Sequence, residues 1–293
     1  MSSVIDLIEL IKLRVNVYHN ARVCGHWKIN QHSEGNTCFH MATQGRCLLT
    51  VPGHGSWTLS EGDLVIFPRE IPHTMVPDEE LSGPQQHLLI ADSQDLPGTS
   101  MLCGELKLQH QGSHALLNAL PAVFVIEKNE STPWLMRLYA MILEESLISR
   151  QQSNPILNRL CELLFSYALR HFAEHDQRST GVLTLYAHAQ INKAIEAIHA
   201  KPHLDWGLIS LAEHAGMSRT QFAQTFKQLS EWTPMQYLTW WRMQLAWTHL
   251  RSGESVAAVA ERIGYQSEAA FSRAFRKHFG ENAGAVRRSR SNS

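Results

Sequence analysis

L-A-E-H-A-G-M-S-R-T-Q-F-A-Q-T-F-K, Leu211 to Lys227, is repeated in pattern by V-A-E-R-I-G-Y-Q-S-E-A-A-F-S-R-A-F-R, Val259 to Arg276. Aligning Gly216 with Gly264 brings Ala212 onto Ala260, Phe226 onto Phe275 and, after one inserted residue, Phe222 onto Phe271. Each copy reads as a short helix ending at a glycine able to take positive φ. A second helix then starts at a serine, Ser218 or Ser267, whose hydroxyl can cap it. Two short helices around a tight turn, the second polar on its outer face, make the geometry that enters a DNA major groove. Between the copies, Pro234 to Arg251 reads as one long helix with proline in its first turn. At about 1.5 Å per residue it spans roughly 25 Å, enough to hold two reading heads about one DNA turn, some 34 Å, apart.

Charge is distributed to match. The 293-residue chain has a net charge of −1, but from Gln190 onward the balance is +5 and over the remainder −6. Basic side chains thus gather in the half that carries the repeat, as a phosphate-binding surface requires. The start, Met1 to Leu13, places Val4, Leu7, Ile8 and Ile11 on an amphipathic pattern broken by Asp6, Glu9 and Lys12, unlike a signal core. No apolar run approaches the roughly 18 residues of a membrane span. A cytoplasmic protein is expected, and its five cysteines then read as core thiols, metal ligands or redox groups rather than as a disulfide framework.

Upstream the pattern changes. Short runs punctuated by Gly, Pro and Asn predict strands at Arg22–Ile29, Thr37–Met41, Arg46–Val51, Ser56–Leu59, Asp63–Phe67, His73–Val76, His87–Ala91 and Met101–Gln109, a sandwich or barrel. Leu135, Leu138, Tyr139, Ile142 and Leu143, then Ile156, Leu160, Leu163, Leu164 and Tyr167, follow helical spacing, with a break at Ser153-Asn154-Pro155. Such an apolar pair must be buried on its own barrel or in a dimer seam; the seam is the sharper expectation. Gln177 to Gly181 reads as linker, and a helix from His188 to His199 leads into the repeat. The expected division is an α+β chain of three parts: a β-barrel over 1–120, a helical dimerisation segment over 121–187 and an all-α domain over 188–293.

The C-terminal hundred residues resemble the DNA-binding domain of AraC-type transcriptional regulators. The match runs through Ser218-Arg219, Phe222, Phe226-Lys227, Thr233-Pro234, Tyr237, Arg242, Ala246, Val259-Ala260, Ile263-Gly264-Tyr265, Ser267, Phe271-Ser272-Arg273-Ala274-Phe275-Arg276-Lys277 and Phe279-Gly280. It departs at Ala283, where the family usually has proline, so the C-terminus is expected to end differently. The N-terminal half is similar to the cupin sensor domain of one branch of these regulators: Gly62-Asp63-Leu-Val-Ile-Phe67-Pro68 and His73 resemble the second cupin motif, with Glu70 at its usual second glycine. His40, before Gly45, is what remains of the first, metal-binding motif. Cys103-Gly104 to His110 looks like the same branch, some of whose members respond to reactive chlorine or other oxidants.

The resemblance implies that Arg219, Thr220, Ala223 and Gln224 of the first unit face DNA, and Glu268, Ala269, Ala270 and Arg273 of the second. Gln can pair with adenine and Arg with guanine, while Lys227, Arg276 and Lys277 suit phosphate. The four phenylalanines are expected to be motif cores. In the sensor half, strand alternation puts Cys24 with Arg22 and His26, and Cys103 with Glu105 and Lys107, each on a polar face. Cys47 reads as barrel filler and Cys161 as helix packing, while Cys38 shares a face with His40 and can stand in as a ligand. The expectation is that Cys24, His40, His73 and Cys103 converge on zinc, which would hold the thiols as oxidisable thiolates until oxidation joins Cys24 to Cys103. The leading reading is therefore a dimeric, oxidant-responsive activator acting on promoter DNA and RNA polymerase. Two alternatives remain: an organic effector held by Trp27, Phe39 and Trp57, and a cupin metalloenzyme with a DNA-binding appendage.

Overall fold

The computed structural model describes residues 2–11, 13–30, 35–108, 114–150, 154–175 and 181–289. Its strands are β1 (Leu13–Cys24), β2 (Thr37–Gln44), β3 (Cys47–Val51), β4 (Gly55–Leu59), β5 (Leu64–Phe67), β6 (Thr74–Pro77), β7 (Gln86–Leu88), β8 (Thr99–Leu108) and β9 (Phe124–Ile126). Its α-helices are α1 (Ser2–Ile11), α2 (His114–Asn118), α3 (Pro133–Ile148), α4 (Pro155–His175), α5 (Thr184–Ala187), α6 (Ala189–Ala200), α7 (Leu208–Ala215), α8 (Arg219–Ser230), α9 (Pro234–Ser252), α10 (Val256–Arg262), α11 (Glu268–Phe279) and α12 (Ala283–Arg288). The chain forms two compact units: one of Leu13–Leu108 and Leu120–Leu169, the other of Met1–Lys12, Gln109–Ala119 and Arg170–Ser293.

In the first unit an antiparallel sheet, in the order β7-β1-β8-β2-β5-β9, faces a smaller one, β4-β3-β6. Side chains from both, including Val23, Trp27, Ala42, Leu49, Leu59, Val65, Phe67, Met75 and Met101, fill the space between them. The long strand β1 serves both faces of its sheet because its register shifts between Val17 and His19. Before the bulge Val15 and Val17 stand opposite Leu106 and Gly104; after it His19, Ala21 and Val23 stand opposite Cys103, Met101 and Thr99. Among the described residues the early part of β1 lacks a second strand partner, and α4 covers it: Asn158 Oδ1 accepts from the Val17 amide at 3.0 Å. The turn before β5 follows from its sequence. Gly62 takes φ 84°, and the Asp63 carboxylate accepts from the Ser60 and Lys128 amides, both at 2.8 Å. Helix α3 buries Leu135, Leu138, Tyr139 and Ile142, and Tyr139 Oη donates to the Thr43 carbonyl at 2.9 Å.

In the second unit α1 packs on α6 and α9. It buries Val4, Leu7 and Leu10, and Ser3 Oγ donates to Asn192 Oδ1. The first helix therefore counts with the C-terminal helices, whereas the sequence placed it with the sensor domain. The expected linker residues Gln177 to Thr180 lie outside the described residues. Helix α9 starts at a capping box of Thr233 and Gln236 and ends at Gly253 with φ 100°. It buries Tyr237, Leu238, Trp240, Trp241, Met243, Ala246 and Leu250, while Met235, Gln236 and Thr239 in its first turns are exposed.

Candidate nucleic-acid interface and sensor core

Both repeats form as helix-turn-helix units. Helix α7 ends at Gly216, φ 65°, and Ser218 Oγ accepts from the Gln221 amide at the start of α8, 3.2 Å. In the second unit Gly264 takes φ 84°, and Ser267 Oγ accepts from the Ala270 amide at the start of α11, 3.2 Å. Phe222, Phe226, Phe271 and Phe275 are all fully buried, the cores their spacing implies. A single segment ties the units together. The loop after α6 carries the Pro202 and Leu204 carbonyls, which accept from the Arg242 guanidinium of α9 at 2.8 and 2.7 Å. The His203 backbone of that loop lies so close to Gly264 that a Cβ there would sit 2.3 Å from the His203 oxygen. The entry to the first unit, the joining helix and the turn of the second are thus locked at one point.

On α8 the residues Arg219, Thr220, Gln224 and Lys227 are exposed and Ala223 is half-buried, all away from the phenylalanine face. On α11 Glu268, Ala269, Arg273, Arg276 and Lys277 are exposed and Ala270 is half-buried. The small alanines let the helix backbone approach base edges and offer methyl contact only. Glu268 lies in the first turn of α11, where a carboxylate also favours the helix dipole. Two basic residues escaped the sequence reading: Arg287 and Arg288, exposed in the last turn of α12. The Arg287-Arg288 pair was their visible signal. Helix α12 begins at Ala283, its first helical residue after Asn282, a position where proline is tolerated; the missing family proline therefore leaves the helix intact.

The sensor residues are placed differently from expectation. His40 and His73 meet, Nε2 to Nε2 at 3.2 Å, and His73 Nδ1 lies 2.8 Å from the Ile71 carbonyl. A hydrogen bond between the two rings needs a proton on one Nε2 and a bare Nε2 on the other. Cys38 Sγ lies 3.9 Å from His40 Nε2, and Cys103 stands opposite His40 in register on β8. Cys24 is elsewhere. It faces away from Val23 and pairs with Gln86, whereas Cys103 pairs with His19, five positions along β1 and on the opposite face of the sheet. At about 3.3 Å per residue that is roughly 16 Å, beyond the reach of a disulfide. The expected four-ligand set is therefore not assembled, and no group of three or more His, Cys, Asp or Glu side chains among the described residues is arranged to hold a metal. Among the described residues, those present do not fit a zinc cage.

The thiols also differ in burial. Cys38, Cys47, Cys103 and Cys161 are buried and Cys24 is half-buried. Cys103 does share its face with Glu105 and Lys107, but at its depth that face is the barrel core. Burial pushes the Cys47 thiol up to about 12, and it raises Cys38, Cys103 and Cys161 as well. These four are thiols at neutral pH, not the thiolates that oxidants attack. The expected effector pocket is not formed either. Trp27 and Trp57 pack in the barrel core, while Phe39, next to the core residue Cys38 on β2, lies against Gly104 on the other face.

Comparison with known proteins gives a family model described as Cupin over residues 4–174 and one described as Helix-turn-helix domain over residues 211–289. The RCS-specific HTH-type transcriptional activator RclR of Escherichia coli (strain K12) is 29% identical over 253 residues, 85% of this chain and 83% of that protein. The HTH-type transcriptional regulator AlkR of Acinetobacter baylyi (strain ATCC 33305 / BD413 / ADP1) is 29% identical over 304 residues, 95% of this chain and 96% of that protein. Among solved structures, the DNA-binding domain of AdpA in complex with a target DNA is 29% identical, covering 33% of this chain and 89% of that one with a TM-score of 0.32.

Proposed function

This chain belongs to the AraC-type transcriptional regulators that join a cupin domain to paired helix-turn-helix units, and from that premise we propose that it activates transcription in response to an oxidant sensed at Cys24. It binds DNA sequence-specifically. The observation that carries the reading is the locked pair of capped helices, α8 and α11, each presenting a polar exposed face over a buried phenylalanine core. These helices enter successive major grooves of one promoter, with Gln224 and Arg273 on base edges and Lys227, Arg276 and Lys277 on phosphates. An activator bound there recruits RNA polymerase. Exposed Ile156 and Leu163, two turns apart on α4, supply an apolar seam for a homodimer.

Two things support an oxidising signal. The relative from Escherichia coli is named as an activator specific for RCS. In this chain Cys24 is the one cysteine that is not buried. Its thiolate takes chlorine from hypochlorous acid and releases hydroxide; water then displaces chloride and leaves a sulfenic acid. The new oxygen has little room. A Cβ on Gly98 would lie 3.0 Å from Cys24 Sγ and 2.5 Å from the Val23 oxygen, so oxidation presses on the segment that opens β8, at the middle of the sheet. Footprinting of purified, reduced protein before and after hypochlorite tests both parts. Expected are two protected grooves about one DNA turn apart, and an oxidant effect lost in Cys24→Ser but kept in Cys103→Ser. Protection of a single groove sinks the twin-head reading, and a Cys24→Ser protein that still responds sinks the thiol assignment.

A further inference from the structure

Helix α8 carries one row of side chains that is carboxamide throughout: Gln221, Gln224 and Gln228, all exposed. At about 3.6 residues per turn the three fall within roughly 60° of one another, on the side away from the buried Phe222 and Phe226. The helix contains no Asp or Glu, and its cations, Arg219 and Lys227, lie off this row. Aligning the capping serines, Ser218 with Ser267, brings Gln221 onto Ala270, Gln224 onto Arg273 and Gln228 onto Lys277. The matching row of α11 is therefore small and cationic, so the two heads offer different chemistry in equivalent places. Among the described residues none of the three carboxamides is hydrogen-bonded within the protein. Gln236, also exposed, is not free in this way: its Oε1 accepts from the Thr233 amide at 2.7 Å. A carboxamide sets a donor beside an acceptor, the pattern that complements N6 and N7 of adenine in the major groove; arginine there would select guanine and glutamate cytosine. The spacing suits a run of bases. Gln221 to Gln224 rises about 4.5 Å and Gln224 to Gln228 about 6 Å, together about three base-pair steps of 3.4 Å.

We infer that the first head reads an adenine-rich run of about four base pairs, with Gln221 and Gln228 joining Gln224 on adenine edges, while the second head takes guanine at Arg273. The inference rests on the twin-head reading above and adds two specificity-determining residues to it. It makes the operator asymmetric: the two grooves differ in sequence chemistry, so the protein sits on its site in one orientation. It also divides the work between the heads. Carboxamides displace no counterions, so the glutamine row contributes discrimination without salt dependence, whereas the basic residues of α11 contribute both.

Selection of bound duplexes from a randomised library by the reduced full-length protein, followed by footprinting of the selected site, tests this. Two grooves are protected; one selects adenine at two or three positions within about four base pairs, and the other selects guanine. Gln221→Ala and Gln228→Ala each relax one adenine position and weaken binding to the selected site about fivefold or more. Neither alters the preference in the second groove or the salt slope. Gln228→Arg moves the preference at its position from adenine to guanine. All three changes are at exposed positions, and unchanged helical ellipticity shows that the variants are folded. Protection of a single groove defeats the twin-head reading, and this inference falls with it. Two protected grooves with no adenine preference in either, or an adenine preference indifferent to both alanine substitutions, overturns the glutamine row alone.

Discussion

Gly216 and Gly264 hold matching places in the two repeats, yet replacing each by alanine will have unequal consequences. At Gly216 the backbone is left-handed, φ 65°, and an added Cβ meets nothing within 4 Å. The cost is the conformational penalty alone, about 1–2 kcal/mol. At Gly264, φ 84°, the same penalty applies, and the Cβ lands 2.3 Å from the His203 oxygen and 2.8 Å from its carbonyl carbon and Cα. That loop cannot easily retreat, because the Arg242 guanidinium holds the carbonyls on either side, Pro202 and Leu204, at 2.8 and 2.7 Å. Overpacking against fixed backbone adds about 1–3 kcal/mol, for a total of roughly 2–5 kcal/mol. With a urea slope of about 2 kcal/mol per molar, Gly216→Ala lowers the midpoint of the helical unit by roughly 0.5–1 M and Gly264→Ala by roughly 1–2.5 M. Asparagine tolerates the left-handed region, so Gly216→Asn recovers most of its loss whereas Gly264→Asn keeps the clash. Urea titration followed by ellipticity at 222 nm, a wavelength chosen for helix, reads all four variants. Equal midpoints for the alanine pair, or rescue of position 264 by asparagine, would refute the locked-loop argument.

Three further outcomes follow from the same geometry. Arg273→Ala lowers operator affinity by about 1–3 kcal/mol and relaxes preference at one base position, whereas Lys277→Ala weakens all sequences alike and reduces the salt slope by about 1; binding isotherms on an operator library at several salt concentrations separate the two. His199 is depressed from 6.5 to about 3, so the unfolded chain takes up its proton first: the stability it contributes is complete above pH 6.5 and is lost as pH falls toward 3. Asp6, raised by burial, acts with the opposite sign and lower in pH, so urea midpoints at pH 7 and 5 should differ less in His199→Gln than in the parent. Leu163→Glu puts charge into the exposed stripe of α4 and should shift sedimentation from dimer to monomer with the ellipticity unchanged.

How far the residues announced this arrangement depended on whether each signal was local. The helix-turn-helix units were legible because caps, glycines and phenylalanines act within a dozen residues, and Ser218, Gly216 and Phe222 do what their types dictate. The strands at β2 to β6 were legible for a similar reason, bounded by turn residues such as Gly62-Asp63. The half of β1 before His19 was not, because its satisfaction comes from Asn158 and Glu162, some 140 residues away in the chain. Three-residue β9 is too short to show a period. The pairing of Cys24 with Cys103 failed for an instructive reason. Alternation correctly says which neighbours share a side chain's face, but it does not say that two polar faces on two strands are the same side of the sheet. The bulge between Val17 and His19 sets that relation, and nothing in the local residue pattern marks it.

The locked loop limits how any signal can act on DNA. Were the two reading heads joined by a mobile linker, a sensor could tune their spacing. Here Arg242, His203 and Gly264 bind the entry of the first head to the turn of the second, and α9 buries Trp241, Met243, Ala246 and Leu250 beside them. Changing the spacing means breaking charge-assisted hydrogen bonds and a packed core together, several kcal/mol by ordinary magnitudes. A regulatory input therefore has more to gain by acting on an element that docks through fewer contacts. Helix α1 is that element. Among the described residues it holds the unit through Val4, Leu7 and Leu10, one hydroxyl bond and an Asp6–His199 contact at 3.3 Å, and in sequence Lys12 alone separates it from the strand that carries Cys24. Deleting residues 1–11 should leave the twin footprint in place while removing its response to oxidant; a truncated protein that still responds would move the coupling to another segment.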